Sequence, residues 1–224
     1  MQAFLRADIN FYAAIMLGAL LLNVYKALDK KDPLNKAFII TSLVVLLLLI
    51  IEAATVLVNR NVEYRTLSIG LHIILFISAP VLSALWVILF QSIIIPQNNC
   101  KSIYKYISII LVSINAVLAI LSSFYNLLFY IDSQNVYMRG NLYYVSYAIT
   151  YGFLIVGVFS VLKYRKSLIS KEVYLLIMLT LIPIIGGIFQ AIFYGLLTMW
   201  SSVAITLVMI YIFMTVTKAQ LSYF

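Results

Sequence analysis

Residues 183–211 read PIIGGIFQAIFYGLLTMWSSVAITLVMIY, and this stretch decides the fold of the chain. Two adjoining apolar segments of this length exceed what the core of a water-soluble domain requires. We therefore predict two membrane-spanning helices joined by a tight turn near residues 197–199. Pro183 removes a backbone donor, and the pair Gly186 and Gly187 removes side chains, so we expect a bend and a close approach of neighbouring helices.

The composition of the whole chain favours the same class. Of its 224 residues, 65% are hydrophobic and 10% are charged, and the mean hydropathy is +1.09. Soluble domains carry about 25% charged residues. We predict an all-α membrane protein in which residues 1–224 form one seven-transmembrane helix bundle. The predicted spans are residues 9–26, 37–58, 67–91, 103–130, 141–162, 173–196 and 199–217.

Lysine and arginine set the predicted orientation. With the N-terminus outside, eleven basic residues fall on the inner side and four on the outer side, which accounts for all 15. The inner ones are Lys26, Lys30, Lys31, Lys36, Lys101, Lys105, Lys163, Arg165, Lys166, Lys171 and Lys218, and the outer ones are Arg6, Arg60, Arg65 and Arg139. The positive-inside rule then places the C-terminus in the cytoplasm.

In this orientation, polar and aromatic side chains from six helices fall in the outer half of the bundle. An ionisable residue inside a membrane is a functional hypothesis by default, and small-molecule sites are mostly apolar with a few polar groups. We therefore expect a cavity that opens to the outside. Its expected ligand contacts are Glu52, His72, Asn126, Tyr147, Gln190, Tyr194 and Trp200, and its expected hinges are Pro80, Pro183, Gly186 and Gly187.

Each of these residues also has a structural explanation. Glu52 could be protonated and hydrogen-bonded to a neighbour, or it could be paired with Arg60 or Arg65 above it. His72 could join two helices, and the amides could do the same. Tyrosine and tryptophan favour membrane interfaces in any case. The ligand site and the structural network both remain open at this point.

Several classes of function are disfavoured by the sequence. It contains no HExxH, no GxSxG, no paired intramembrane aspartates and no glycine-rich phosphate loop, so we expect no enzyme and no cofactor. A single histidine and the lone Cys100 leave no metal cluster and no internal disulfide. The net charge of +8 is explained by the inner loops, so we expect no nucleic-acid partner. Lys218 lies at the cytoplasmic end, which argues against a rhodopsin.

Two segments resemble a known sensor family. They are FYIDSQNVYMRGNLYYVSY (Phe129–Tyr147) and IPIIGGIFQAIFYGLLTMWSSVAITLVMIYIF (Ile182–Phe213), and the loop DPLNKAF (Asp32–Phe38) and the helix 2 acid Glu52 fit the same pattern. The chain resembles the N-terminal seven-transmembrane sensor module of Firmicutes-type GGDEF diguanylate cyclases and of the seven-transmembrane histidine-kinase N-terminal family. The resemblance implies a multi-pass protein of the bacterial cytoplasmic membrane, surrounded by lipid.

The chain departs from that family after Lys218. Members continue into a cytoplasmic output domain, whereas these residues include no GGDEF motif, no phosphoacceptor histidine and no ATP site. The chain thus corresponds to the isolated sensor part, to a truncated gene or to a stand-alone relative. Any cyclase or kinase activity would belong to an output domain that these residues lack. Because the family's output domains act as dimers, the resemblance also implies a homodimer.

The preferred function is a sensor that binds a small extracellular ligand and relays a change of shape through helix 7. The alternative is a small-solute or proton-coupled transporter that uses the same cavity. A plain membrane anchor is a third hypothesis, but an anchor needs no cluster of polar residues in its outer half.

Overall fold

The computed structural model describes residues 2–94, 102–168, 170–193 and 196–221. Its elements are α1 (Gln2–Ala27), α2 (Pro33–Val58), α3 (Arg65–Ile94), α4 (Ser102–Tyr125), β1 (Phe129–Ile131), β2 (Tyr137–Arg139), α5 (Tyr143–Lys163), α6 (Ser170–Ile192) and α7 (Met199–Leu221), with short 3-10 turns at Val62–Tyr64 and Arg165–Ser167. The predicted all-α class is confirmed, with one short β-hairpin added to it.

Six of the seven helices are long and apolar enough to cross a membrane. Their apolar stretches, in α1 to α6, run from 19 to 33 residues, against the roughly 20 residues that a bilayer requires. The longest, Val62–Ile94, includes the 3-10 turn before α3. The apolar stretch of α7, Met199–Thr215, is shorter. The chain is therefore a multi-pass membrane protein by the length and composition of its helices.

Six helices close into a ring. Neighbours around it are α1, α2, α3, α5, α6 and α7, and α7 packs back against α1. Helix α4 lies outside this ring against α3 and α5, and most of its apolar surface is exposed. The ring therefore encloses the space in which polar side chains from different helices meet.

Asp32 and Pro33 define where α2 begins. Asp32 Oδ1 accepts a hydrogen bond from the Leu34 N–H at 2.9 Å. Pro33 occupies the first turn, where its missing N–H costs nothing. This start places Glu52 about two turns before the end of α2 at Val58.

Helix α4 ends at Tyr125, which corrects the predicted span that ran to residue 130. The physical reason is the backbone of Asn126, which adopts a left-handed conformation with φ of 54° and so stops the helix. Ser122 Oγ then accepts the Leu128 N–H at 2.8 Å and turns the chain toward β1. Gly140 closes the far side of this turn, where a Cβ would collide with the Leu127 carbonyl.

The antiparallel hairpin of β1 and β2 is held over the connection between α2 and α3. Buried Asn135 donates from Nδ2 to the carbonyls of Val58 and Asn61, both at 2.7 Å. The Arg65 guanidinium donates to two carbonyls of the hairpin segment, each at 2.9 Å. These bonds fix the hairpin at one end of the ring, which we call the hairpin end.

Pro80 creates a backbone defect in α3, and α4 repairs it. A proline has no N–H, so the carbonyl four residues earlier, on Phe76, loses its partner within the helix. Asn115 of α4 supplies the missing donor, with Nδ2 at 2.6 Å from the Phe76 oxygen. A freed carbonyl inside the bundle thus becomes the attachment point of the outer helix.

We predict that Asn115→Leu lowers the free energy of unfolding by about 1 kcal/mol, because the Phe76 carbonyl loses its donor. The same substitution in a Pro80→Ala background should cost less, because residue 80 then offers its own N–H. Unfolding in detergent, followed by circular dichroism, measures both differences. An equal cost in the two backgrounds would contradict the repair of the proline defect by Asn115.

Candidate ligand-binding site

A cavity of about 230 Å³ opens inside the ring at the hairpin end. Side chains of α2, α3 and α5 form its walls, together with Gln190 of α6, the start of α7 and residues of β2. Its volume lies below the 300–1,000 Å³ of sites for drug-sized molecules. The cavity therefore suits a small ligand.

The carboxyl group of Glu52 is the most deeply buried charged group of this wall, with 4% of the side chain exposed. Nδ2 of Asn10 donates to Oε2 at 2.7 Å. Nε2 of Gln190 donates to Oε1 at 2.9 Å. One carboxyl group on α2 is therefore bonded to both α1 and α6.

The orientation of the Gln190 amide is set by the backbone of α7. Oε1 of Gln190 accepts the N–H groups of Thr198 and Met199, at 3.0 Å and 2.8 Å. A backbone N–H is only a donor, so the oxygen must face it and the amide nitrogen must face Glu52. Gln190 therefore connects the carboxyl group to the first turn of α7 in one fixed direction.

The Asn10 amide has more freedom than that of Gln190. Its Oδ1 accepts from the Ser201 hydroxyl at 2.7 Å, but a hydroxyl both donates and accepts. Ser201 also lies 3.3 Å from the Leu197 carbonyl. If the amide turned over, Ser201 would donate to that carbonyl and accept from Asn10, and the one bond lost would be that from Asn10 to Glu52. The network is thus rigid on its Gln190 side and adjustable on its Asn10 side.

His72 lies on the α3 wall, 9% exposed. Its Nδ1 is 2.8 Å from the Ser68 carbonyl, which accepts only, so Nδ1 carries the proton and Nε2 of the neutral ring is an acceptor. Tyr137 of the hairpin stacks on the imidazole, with ring centroids 4.8 Å apart. Among the described residues, no three His, Cys, Asp or Glu side chains are grouped so as to hold a metal ion.

A row of tyrosines on α5 supplies the aromatic wall. Ring centroids are 4.6 Å apart for Tyr143 and Tyr147 and 5.9 Å apart for Tyr147 and Tyr151. At the mouth, the exposed Arg139 holds its guanidinium 4.7 Å from the Tyr143 ring and donates to the Ala191 carbonyl at 3.1 Å. This wall therefore offers a ligand the apolar faces of aromatic rings and the polar hydroxyl groups at their ends.

The structure brings five of the seven predicted ligand contacts to one cavity: Glu52, His72, Tyr147, Gln190 and Trp200. Asn126 is placed elsewhere, because the left-handed turn after α4 leaves it exposed and outside the cavity wall. Tyr194 lies outside the described residues. Whether the five bind a ligand stays a prediction.

The predicted hinge residues occupy tightly packed positions. Helix α6 continues through Pro183. At Gly186 a Cβ would collide with the Ser202 side chain of α7, and at Gly187 it would collide with the hydroxyl of Tyr151 of α5. The glycine pair thus lets α6 approach two neighbours closely, and the hinge role stays a prediction.

Sequence reasoning missed Asn10 and Ser201, which complete the Glu52 network. A signal for Asn10 was present, because an amide inside an apolar helix needs a partner. Ser201 gave none, since a serine in a helix usually bonds its own backbone. Both side chains are buried.

Below the cavity, toward the end of the bundle that lies opposite the hairpin, the ring is filled with large apolar side chains. Buried members of this core include Leu48, Leu49, Leu82, Trp86, Leu179, Val203 and Leu207. Close-packed side chains of this kind leave little space for a solute. The cavity is therefore a pocket with a floor.

Comparisons with protein families, with characterised proteins and with solved structures gave no match for this chain. Function is therefore argued from the chemistry of the cavity and from the elements that its residues connect.

We predict that Gln190→Glu strongly destabilises the protein, because two carboxylates would then lie side by side in the bundle. Their repulsion is about 4 kcal/mol for a separation near 4 Å at an effective dielectric constant of about 20. Adding Glu52→Gln should restore stability, because the amide introduced at position 52 donates to the new carboxylate and still accepts from Asn10.

The single variant Glu52→Gln is the matched control. Its amide can donate to Asn10 after that side chain turns over, so we expect a cost of about 1 kcal/mol or less. Thermal unfolding in detergent ranks the three variants. A double variant as unstable as Gln190→Glu alone would contradict the assigned direction of the Gln190 hydrogen bonds.

Proposed function

We propose that this chain is the membrane-embedded sensor part of a signalling protein. In this proposal, a small extracellular molecule enters the cavity at the hairpin end and contacts Glu52, His72, Tyr147, Gln190 and Trp200. The resulting change of shape passes through α7, which serves as the seventh span, to the opposite end of the bundle. The resemblance to the sensor modules of bacterial cyclases and kinases supports the same assignment, including the bacterial membrane and the homodimer.

The observation that carries the proposal is the bond between the cavity and the start of α7. Gln190 donates to Glu52 at 2.9 Å and accepts the N–H groups of Thr198, just before α7, and of Met199, its first residue. A ligand that bonds to Glu52 competes for the carboxyl group that holds Gln190 in place. The binding event therefore acts on the same amide that caps α7.

Such a relay needs two conformations of α7 with different ligand affinities. A ligand shifts an equilibrium only by its differential affinity for the two states. The Asn10 and Ser201 side of the network can rearrange at the cost of one hydrogen bond, the one from Asn10 to Glu52. This adjustable side supports a relative movement of α1 and α7.

The apolar core below the cavity favours a sensor over the alternative of a transporter. A transporter must open a path from its site to the opposite side, usually along broken helices at the bilayer midplane. Here α6 continues through Pro183, and Trp86 and Leu207 pack beneath the site. Transport would require this packed region to separate in every cycle.

We predict an outside hairpin and an inside lysine-rich end. In a Cys100→Ser background, a single cysteine placed at exposed Ser133 in the hairpin should react with a membrane-impermeant maleimide in intact cells. A cysteine at exposed Lys166, after α5, should react only after the cells are opened. The reverse pattern would place the cavity on the cytoplasmic side and contradict an extracellular ligand.

We predict that a thermal-shift screen of small metabolites yields a ligand whose stabilising effect depends on Tyr147. Ligand binding to the folded state raises the melting temperature by mass action, and Tyr147→Phe removes one hydroxyl from the wall. Tyr144→Phe is the matched control, because Tyr144 is 76% exposed on the same helix and outside the cavity.

The same ligand separates a sensor from a transporter. Proteoliposomes that contain the wild-type protein should bind the labelled ligand but should not transport it across the bilayer in either direction. Saturable flux would support the transporter. A screen in which no compound raises the melting temperature would count against any small-molecule site in this cavity.

A further inference from the structure

The charge of Glu52 is partnered by neutral groups alone within the part of the chain that the structure describes. Its two hydrogen-bond partners are the amides of Asn10 and Gln190, and no lysine, arginine or histidine forms an ion pair with it. Each carboxylate oxygen has a second lone pair after accepting one amide N–H. The group lines the cavity and so can accept further donors from a ligand.

The hydrogen-bond pattern around Glu52 suits the ionised carboxylate. Gln190 must present its nitrogen because its oxygen is held by the backbone of α7. Asn10 also presents its nitrogen while its oxygen accepts from Ser201. Gln190 is therefore fixed as a donor, and Asn10 is a donor in the arrangement that the structure shows. An anion inside a membrane bundle is costly until a cation neutralises it.

Three other polar groups of the wall use their protons on backbone carbonyls. Thr55 Oγ1 donates to the Glu52 carbonyl at 2.7 Å, and Thr150 Oγ1 donates to the Ser146 carbonyl at 2.8 Å. His72 likewise uses the proton on Nδ1. These three side chains therefore have only lone pairs left for a ligand, and a lone pair can only accept a hydrogen bond from a donor.

Aromatic faces complete the environment of a cation. Tyr147, Phe76, Tyr137 and Trp200 line the cavity, and the face of such a ring attracts a cation. The cation already present in the wall, Arg139, is exposed at the mouth and occupied with the Tyr143 ring and the Ala191 carbonyl. The buried part of the cavity is therefore negative and rich in acceptors.

We infer that the ligand of this cavity is a small organic amine whose ammonium group pairs with Glu52 and whose apolar part lies against the aromatic wall. This inference rests on the proposed function, because it names the ligand class of the same site. The volume of about 230 Å³ limits the ligand to a molecule below drug size.

Three probes of nearly equal size and shape test the charge preference: benzylamine, benzyl alcohol and benzoate. Purified wild-type protein in lipid nanodiscs is titrated with each at neutral pH, where benzylamine is protonated. We expect benzylamine to bind at least about tenfold more tightly than benzyl alcohol, because a charge-assisted hydrogen bond is stronger than a neutral one. Benzoate should bind most weakly.

Glu52→Gln should lower the affinity for benzylamine much more than the affinity for benzyl alcohol, so that the preference is lost. Binding of the neutral probe by the variant shows that it keeps its fold and its cavity. Asp8→Asn is the control for general surface charge, because Asp8 is an acid of α1 outside the cavity wall. This variant should keep the wild-type preference.

Equal binding of benzylamine and benzyl alcohol, or tighter binding of benzoate, would overturn the amine inference while leaving a ligand site in place. The absence of binding by all three probes to folded wild-type protein would overturn it as well. The proposed sensor function is judged separately, by the metabolite screen and by the labelling of the hairpin.

Discussion

The burial of one carboxylate, Glu52, is the constraint on which the rest of the bundle depends. A charge of this kind costs several kcal/mol to remove from water and is tolerated only where donors converge on it. The two donors come from α1 and α6, and Gln190 adds the backbone of α7 to the same cluster. Four helices are therefore held in mutual register by one side chain that no single helix could satisfy.

A second regularity is that this protein satisfies its polar groups locally and leaves lone pairs for the cavity. Thr55, His72 and Thr150 each donate to a carbonyl of their own helix. Phe76 differs from them, because its carbonyl is freed by a proline and accepts a donor from α4. Local satisfaction keeps each helix stable in lipid, and the few bonds between helices then determine how the helices associate.

Much of the cavity could be predicted from the sequence, because helical periodicity and the depth of a residue in the membrane can both be inferred from its position along the chain. Glu52, His72, Tyr147, Gln190 and Trp200 lie in helices, where position along the chain translates into depth at a fixed rise. Asn126 lies outside the cavity wall because its left-handed backbone ends α4, and helical periodicity in the sequence does not indicate such a turn. The hairpin was not predicted, because strands of three residues are too short to show the alternation of apolar and polar residues that indicates a β-strand. Partners such as Asn10 and Ser201 depend on which helices adjoin, and a single sequence does not contain that information.

The order in which the ribosome makes the chain gives the hairpin a further meaning. Asn135 bonds the end of α2, and Arg65 bonds the hairpin, so the connection between α2 and α3 stays incomplete until more than half of the protein exists. Asn10 is synthesised before Glu52 and is available as a hydrogen-bond donor immediately, whereas the second donor, Gln190, is synthesised much later. The early helices are thus inserted with some polar groups that lack their final hydrogen-bond partners, and α6 and α7 supply these partners later. Assembly of this bundle is accordingly a late event, completed when α6 and α7 enter the membrane.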